Sequence, residues 1–270
     1  MQGLFHIWRC QPSVNAAGGA LGATLQIVAS HTLIASGDFA KSPEWQTILQ
    51  GIRDAVGQAE WPPKGHASHK PGVFTIHPQS GKKSGEGNGV VPIKLRPMEV
   101  LKDAGWSLEH PWEVGQRVQV PDPALEQAVA DVEQPGKKGR KGTRPGDIDA
   151  ARLFPQGLVV IEWETGNVSS SHRSINKMAL GLVQGKCVAG VLVVPNMKLA
   201  QYLTDRIGNI EELLSYFPMW RALDVKNGVL ELLVIQQDAE DSSVPKIPKG
   251  KDGRAKEGAV KKNGASSAES

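Results

Sequence analysis

Residues 158–164 read Leu-Val-Val-Ile-Glu-Trp-Glu, a run of apolar, β-branched and aromatic residues that ends in two carboxylates. The turn-forming stretch Thr165-Gly166-Asn167 follows and predicts the end of a strand. Ser169 is a candidate N-cap for a helix that extends to about residue 184, because apolar residues then recur at helical spacing at Ile175, Met178, Ala179, Leu182 and Val183. This part of the chain therefore predicts a strand followed directly by an amphipathic helix.

The segments on either side continue the alternation of strands and helices. Residues 188–194 and 229–235 are rich in valine and leucine, which predicts two further buried strands. Helices are predicted at 43–59 with Ser42 as N-cap and Pro43 at the first position, within 91–106 after Pro97, at 197–204 and at 210–217. Strands that alternate with helices predict an α/β fold in which a mixed β-sheet is flanked by helices.

Composition divides the chain into three parts. Residues 44–237 carry the predicted strands and helices and are expected to form the main folded domain. Residues 1–43 are rich in alanine, glycine and serine and are expected to be an N-terminal extension of unknown role, in which 21–35 fits a helix or a strand equally well. Residues 238–270 lose all periodicity and predict a flexible, basic C-terminal arm.

Charge is informative only where it clusters, because the net charge of the 270 residues is +3. Residues 137–144 hold five basic side chains and no acid, and residues 246–262 hold seven with two acids. Such clusters neutralise the phosphates of nucleic acids, and they are equally typical of a solvated loop and a soluble tail. Residues 135–146 are rich in glycine, lysine and proline and predict a surface loop.

The cysteines and the apolar runs favour a soluble, cytoplasmic protein without a membrane segment. Cys10 and Cys187 cannot build a disulfide framework, which fits a reducing compartment. The first residues do not resemble a signal peptide. No run approaches the roughly 18 to 20 apolar residues of a membrane span.

Glu162 and Glu164 are the first candidates for chemistry. Side chains on a strand alternate between faces, so both glutamates are expected on the face of Val160 and opposite Ile161 and Trp163. Two neighbouring carboxylates repel each other unless a cation or a proton lies between them. An acidic pair of this kind is also common on the solvent-facing rim of a sheet, and the pair alone does not separate the two interpretations.

Asp149 adds a third carboxylate. A hairpin through Pro155-Gln156-Gly157 would return it beside the glutamates, although Asp147 is a rival and Asp149 could instead cap a turn. Three converging carboxylates make an oxygen-rich site of the kind that Mg²⁺ prefers. Near DNA such a site suits phosphodiester hydrolysis, in which one or two metal ions activate water and stabilise the leaving oxygen.

Residues 162–177 read EWETGNVSSSHRSINK and resemble the catalytic strand and following helix of the BamHI restriction endonuclease family, within the PD-(D/E)xK nucleases. Four further segments resemble the family in the same order, at 88–94, 202–206, 211–217 and 244–250. The likeness spans about residues 60–262, and it implies that residues 44–237 form the catalytic and DNA-binding domain of an endonuclease. Relative to the family, residues 115–142 look expanded and residues 1–43 have no evident counterpart. The likeness implies a restriction-endonuclease-like fold and a type II enzyme that cuts both strands of double-stranded DNA with Mg²⁺.

The resemblance also implies roles for individual residues. Asp149, Glu162 and Glu109 match metal ligands, although Glu109 could equally be a surface glutamate. Glu164 stands where most of the superfamily has lysine and matches a proposed general base. The positions that match DNA contacts are Lys94, Asn167, Ser169, Arg173, Asp205, Arg206, Gly250 and Arg254. Arg254 replaces an apolar residue of the family, and Asp205-Arg206 could instead be a local ion pair.

The matching base-contact residues imply the palindromic target GGATCC. A palindrome implies a twofold-symmetric homodimer, which in the family is built from the helix after the catalytic strand and from the region of residues 211–217. Here Val183-Gln184 replaces polar or charged residues of that interface. A cognate DNA methyltransferase would protect host DNA. The alternatives are a related nuclease with another target and a relative that binds DNA without cutting.

Overall fold

A six-stranded mixed sheet forms the centre of the computed structural model, which describes residues 25–80, 87–112, 146–164, 166–204 and 207–249. The strands of this sheet are β1 Gln26–Ser36, β3 Ser107–His110, β4 Ile148–Phe154, β5 Gly157–Trp163, β6 Ala189–Pro195 and β7 Gly228–Gln236. Their order across the sheet is β1-β7-β6-β5-β4-β3, where β5, β6 and β7 run parallel and the other neighbouring pairs are antiparallel. A small parallel pair joins β2 Thr75–Ile76 to β8 Ala239–Glu240. The predicted mixed sheet is confirmed.

Within the part of the chain that the structure describes, three long helices and three short ones flank the sheet. They are α1 Pro43–Val56, α2 Val91–Asp103, α3 Val168–Val183, α4 Met197–Ala200, α5 Ile210–Leu213 and α6 Phe217–Arg221, with 3-10 turns at Phe39–Lys41 and Leu214–Tyr216. The predicted start of α1 is confirmed, because Trp45 N donates to Ser42 Oγ at 3.1 Å. The helix predicted over 197–204 is shorter, and it ends at Ala200. None of the helices in the described ranges is long and apolar enough to cross a membrane.

The N-cap of α3 is Asn167 and not Ser169 as predicted. Asn167 keeps an extended backbone, and its side chain accepts a hydrogen bond from the amide of Ser170. Ser169 lies inside the first turn, where its hydroxyl is exposed. An asparagine in this position stabilises the helix start as well as serine does, so residue type alone could not separate the two candidates.

The hydrophobic core lies on both faces of the sheet. One face packs Val159, Ile161 and Trp163 of β5 against α1 and α2. The other face packs Val160 against α3 and the helices after it. The predicted alternation of β5 is therefore confirmed, and Glu162 and Glu164 follow Val160 onto the face that α3 covers.

At both ends of the described chain, residues that the sequence placed outside the main domain pack against it. Part of the expected N-terminal extension is β1, which pairs along its length with β7 at the edge of the sheet. Part of the expected flexible arm is also ordered, because Val244 and Ile247 are buried. Trp61 Nε1 donates to Pro245 O at 2.8 Å, and Ile247 N donates to Asn88 Oδ1 at 3.1 Å. Residues 1–24 and 250–270, with Gly250 and Arg254, lie outside the described ranges.

Candidate active site

Asp149, Glu162 and Glu164 meet at one end of the β4–β5 hairpin, beneath α3. Strands β4 and β5 pair antiparallel through the predicted turn, with Ala150 opposite Ile161. Trp163 N donates to Asp149 Oδ2 at 2.7 Å, which fixes this carboxylate beside the end of β5. The rival Asp147 is exposed and contributes its backbone carbonyl instead. The hairpin thus returns Asp149 beside the end of β5, as predicted, whereas the role of the three acids as one metal site stays a prediction.

Glu162 is buried and held through both of its oxygens by α3. Ser174 Oγ donates to Oε2 at 3.2 Å, and the ammonium group of Lys177 contacts Oε1. Burial raises the pKa of Glu162, and the negative charge of Asp149 raises it further, against the opposing effect of Lys177. This carboxylate is thus crowded by another negative charge even though a cation touches it.

Glu164 is buried as well, and its carboxylate is only half satisfied. Gly166 N donates to Oε1 at 2.5 Å, whereas Oε2 is buried without a hydrogen-bond partner among the described residues. Burial raises the pKa of Glu164 to about 7, although the Ser171 hydroxyl and the Gly166 amide lower it. Two buried glutamates exclude the alternative of an acidic, solvent-facing sheet rim.

Two lysines provide the positive charge of the site. Lys94 of α2 donates to Asp149 Oδ1 at 2.6 Å, so a residue expected to contact DNA lies at a carboxylate. Lys177 of α3 also donates to Asp147 O at 2.7 Å and thereby joins the helix to the start of β4. Sequence reasoning missed Lys177 and Ser174. The sequence did contain a clue to Lys177: it is a lysine next to Met178, within the apolar stripe of an amphipathic helix.

The chemistry of the donors fits a divalent cation, although the carboxylates are not arranged around one. Among the residues that the structure describes, no three potential ligands are already grouped to hold a metal ion. Carboxylate oxygens are nevertheless the ligands that hard divalent ions prefer. Oε2 of Glu164 has no hydrogen-bond partner among the described residues, and the pKa values of Glu162 and Glu164 are raised. Both observations indicate that the protein does not fully compensate the negative charge of the ionised carboxylates, which a bound cation would stabilise.

Glu109 lies on the strand next to Asp149. In the ladder between β3 and β4, Leu108 pairs with Ala150 and His110 pairs with Ile148, which brackets Glu109 and Asp149. The backbone of Glu109 has a φ of 46°, an uncommon conformation for a residue other than glycine. Its side chain is exposed, and its role as a metal ligand stays a prediction.

The expected DNA-contacting residues of α3 form an exposed group at its N-terminal half. Asn167, Ser169 and Arg173 all face solvent, next to a helix N-terminus that favours phosphate. Asn167 also bridges to Ile207, and Gly208 N donates to Gly166 O at 2.8 Å. Asp205 and Arg206 themselves lie outside the described residues.

Known proteins resemble the chain over most of its length. The family model described as restriction endonuclease BamHI matches residues 25–254. The type II restriction enzyme OkrAI of Oceanobacter kriegii is 38% identical over 208 residues, which cover 77% of this chain and 89% of that protein. The type II restriction enzyme BamHI of Bacillus amyloliquefaciens is 35% identical over 174 residues, covering 63% and 68%.

A solved structure, that of restriction endonuclease BglII with a DNA 16-mer, matches with a TM-score of 0.43 and 8% identity. The match covers 81% of this chain and 87% of that one. At this overall similarity it adds nothing to the sequence relationship.

Proposed function

Because this chain belongs to the BamHI restriction endonuclease family and is a type II site-specific deoxyribonuclease, we propose that it cuts both strands of duplex DNA at GGATCC with Mg²⁺. The observation that supports the chemistry best is the cluster of the buried Glu162 and Glu164 with the half-buried Asp149 at one end of the β4–β5 hairpin. A buried acidic cluster with raised pKa values is typical of a functional site rather than of a structural ion pair.

Asp149 and Glu162 would hold the metal ion, with Glu109 as a further ligand. When bound, the ion would activate water and offset the charge that develops on the leaving oxygen. The Trp163 amide and the Ser174 hydroxyl orient the two main ligands from the backbone and from α3. These bonds supply the fixed ligand orientation that metal-assisted hydrolysis needs.

Glu164 is the proposed general base. With a pKa of about 7, this carboxylate can accept a proton from water near neutral pH. A glutamate with the ordinary, lower pKa is a weaker base and does so poorly. The Gly166 amide holds Oε1, so the free oxygen Oε2 is the one that would take the proton.

We assign recognition of the DNA base sequence to residues of α3 and of the segment that follows α4. Arg173 and Arg206 can each donate two hydrogen bonds to guanine O6 and N7, Asp205 can accept from cytosine N4, and Asn167 can contact neighbouring base edges. Lys94, Ser169, Gly250 and Arg254 complete the proposed DNA contacts. Arginine at position 254 suits the narrow, negative minor groove.

An exposed apolar surface supports a homodimer. Leu180 and Val183 of α3 and Leu214, Tyr216 and Met219 of the following region are between 38% and 52% exposed. The two parts are neighbours, since the rings of His172 and Tyr216 are 4.3 Å apart and Trp220 Nε1 donates to Asn176 Oδ1 at 2.9 Å. Burying this surface against a second copy would give the twofold symmetry that a palindromic target requires.

The deciding experiment digests a plasmid of known sequence in the presence of Mg²⁺ and sequences the ends. Cuts only at GGATCC are expected. Cuts at another site identify a related nuclease of different specificity, and binding without cuts identifies a non-cleaving relative. Repeating the digestion on plasmid methylated within the target tests the proposed protection of host DNA by a cognate DNA methyltransferase, since methylated sites should survive.

A further inference from the structure

Lys94 occupies the place of a cation at Asp149. Trp163 N already holds Asp149 Oδ2 at 2.7 Å, so the carboxylate cannot rotate without losing that bond. The other oxygen, Oδ1, accepts from Lys94 Nζ at 2.6 Å. A divalent ion that bound the same lone pair of Oδ1, at the usual metal–oxygen distance of about 2.0 to 2.6 Å, would take the position that the ammonium group now holds.

The two lysines of the site are not equivalent. The side chain of Lys177 is 5% exposed, and its ammonium group bonds both to Glu162 and to the carbonyl of Asp147. The side chain of Lys94 is 25% exposed and reaches only Asp149 among the described residues. Lys94 can therefore swing towards solvent at low cost, whereas Lys177 is locked in place.

We propose that Lys94 is the displaceable counter-ion of the metal-free site, and that it must leave Asp149 before a divalent ion binds. Like charges repel, so the ion and the Lys94 ammonium group exclude each other at Oδ1. A DNA phosphate attracts the same ammonium group and would draw it away from Asp149. DNA and metal then strengthen each other's binding, and this coupling must be equal in both directions.

This inference rests on the proposed metal-dependent function, and the first test uses no DNA and no cleavage. Calcium ions are titrated into purified Lys94→Met protein and followed by calorimetry. The variant is expected to bind Ca²⁺ about tenfold more tightly than the wild type, within the usual range of coupling between sites. Lys102→Met is the matched control, because Lys102 is exposed on the same helix and its loss changes the net charge equally. The control should titrate like the wild type.

The second test repeats the titration with duplex DNA that contains the target. DNA should tighten Ca²⁺ binding in the wild type and in Lys102→Met, and much less in Lys94→Met. Lys94→Gln is run in parallel, so that an unstable methionine variant does not decide the result. Unchanged or weaker Ca²⁺ binding in the soluble Lys94 variants overturns the proposal. A wild type that neither binds Ca²⁺ nor cuts with Mg²⁺ instead refutes the proposed function, and the inference falls with it.

Discussion

Two regions of the same sheet bury carboxylates, and they do so in opposite ways. Glu231 lies on β7 opposite Thr32 of the edge strand β1 and is buried. Thr32 Oγ1 donates to one of its oxygens at 2.6 Å, and Ser30 Oγ donates to the other. A single acid is thus satisfied by two neutral donors from the neighbouring strand.

The acids of the β4–β5 hairpin also accept hydrogen bonds from neutral groups, but these bonds do not satisfy them completely. Glu162 and Glu164 have raised pKa values, one oxygen of Glu164 has no partner among the described residues, and two lysines supply charge. Burial of an acid is common to both regions and does not mark a site. What differs is the crowding of several incompletely satisfied carboxylates, which costs stability and is retained where chemistry needs it.

The largest expected effect is the loss of cleavage in Asp149→Asn and Glu162→Gln. Each change removes a charged metal ligand but keeps the shape of the side chain. Single-turnover cleavage with Mg²⁺ should fall on the order of a thousandfold, since metal-based charge stabilisation contributes several kcal/mol. Circular dichroism should show folded proteins. Cleavage near the wild-type rate in either variant would contradict the assignment of these ligands.

The raised pKa of Glu164 predicts that the stability of the protein depends on pH. The folded protein holds a proton on Glu164 up to about pH 7, whereas the unfolded chain releases it near the ordinary value of 4.5. The metal-free protein should therefore lose on the order of 3 kcal/mol of unfolding free energy as the pH rises from about 5 to about 8. Glu162 shifts in the same direction and adds to this loss.

The measurement is urea unfolding across this pH range in the presence of a chelator, for the wild type and for Glu164→Gln. The variant should show a flatter dependence on pH, and it should bind target DNA while cutting it slowly. Equal slopes for the two proteins would show that Glu164 is charged throughout and not perturbed by burial.

Glu231→Ala should lower the stability of the protein and leave DNA cleavage unchanged, which is the reverse of the effect expected for the acids of the β4–β5 hairpin. Loss of the carboxylate leaves the Ser30 and Thr32 hydroxyls without their acceptor at the sheet edge, which should cost about 1–3 kcal/mol of stability. Cleavage per folded molecule should stay at the wild-type level when it is assayed well below the unfolding transition. A severe loss of cleavage in fully folded protein would mean that the two regions are functionally alike after all.

The smallest expected effect is a change in sequence discrimination, and it should differ between an arginine of α3 and an arginine of α1. Arg173 on α3 is exposed, whereas Arg53 on α1 donates to Ser30 Oγ at 3.1 Å. Arg173→Ala should lose roughly 1–3 kcal/mol of discrimination at a guanine position of the target. Arg53→Ala should keep full discrimination. Competition binding of GGATCC against its single-base variants, with Ca²⁺ in place of Mg²⁺, measures both.

The sequence predicted local features well. The strand–helix pair around α3 follows from periodicity over a short stretch, and the placement of Glu162 and Glu164 on one face follows from strand alternation. The N-cap of α3 was assigned two residues late, because Asn167 and Ser169 are both good caps. The 26–36 stretch had no assignment, since an edge strand with a mixed pattern is recognisable only by its partner β7.

The sequence by itself therefore determined strand β5 with the helix after it, strands β6 and β7, the shared face of the two glutamates and, through extended resemblance, the enzyme family. The tertiary structure decided which acid joins the glutamates, which lysines contact the acids and which hydroxyls satisfy Glu231. Asp149 and Lys94 are 55 residues apart, and Thr32 and Glu231 are 199 apart, so no local pattern encodes their contact. Such pairs form only when packing brings the elements together, and packing depends on the whole chain.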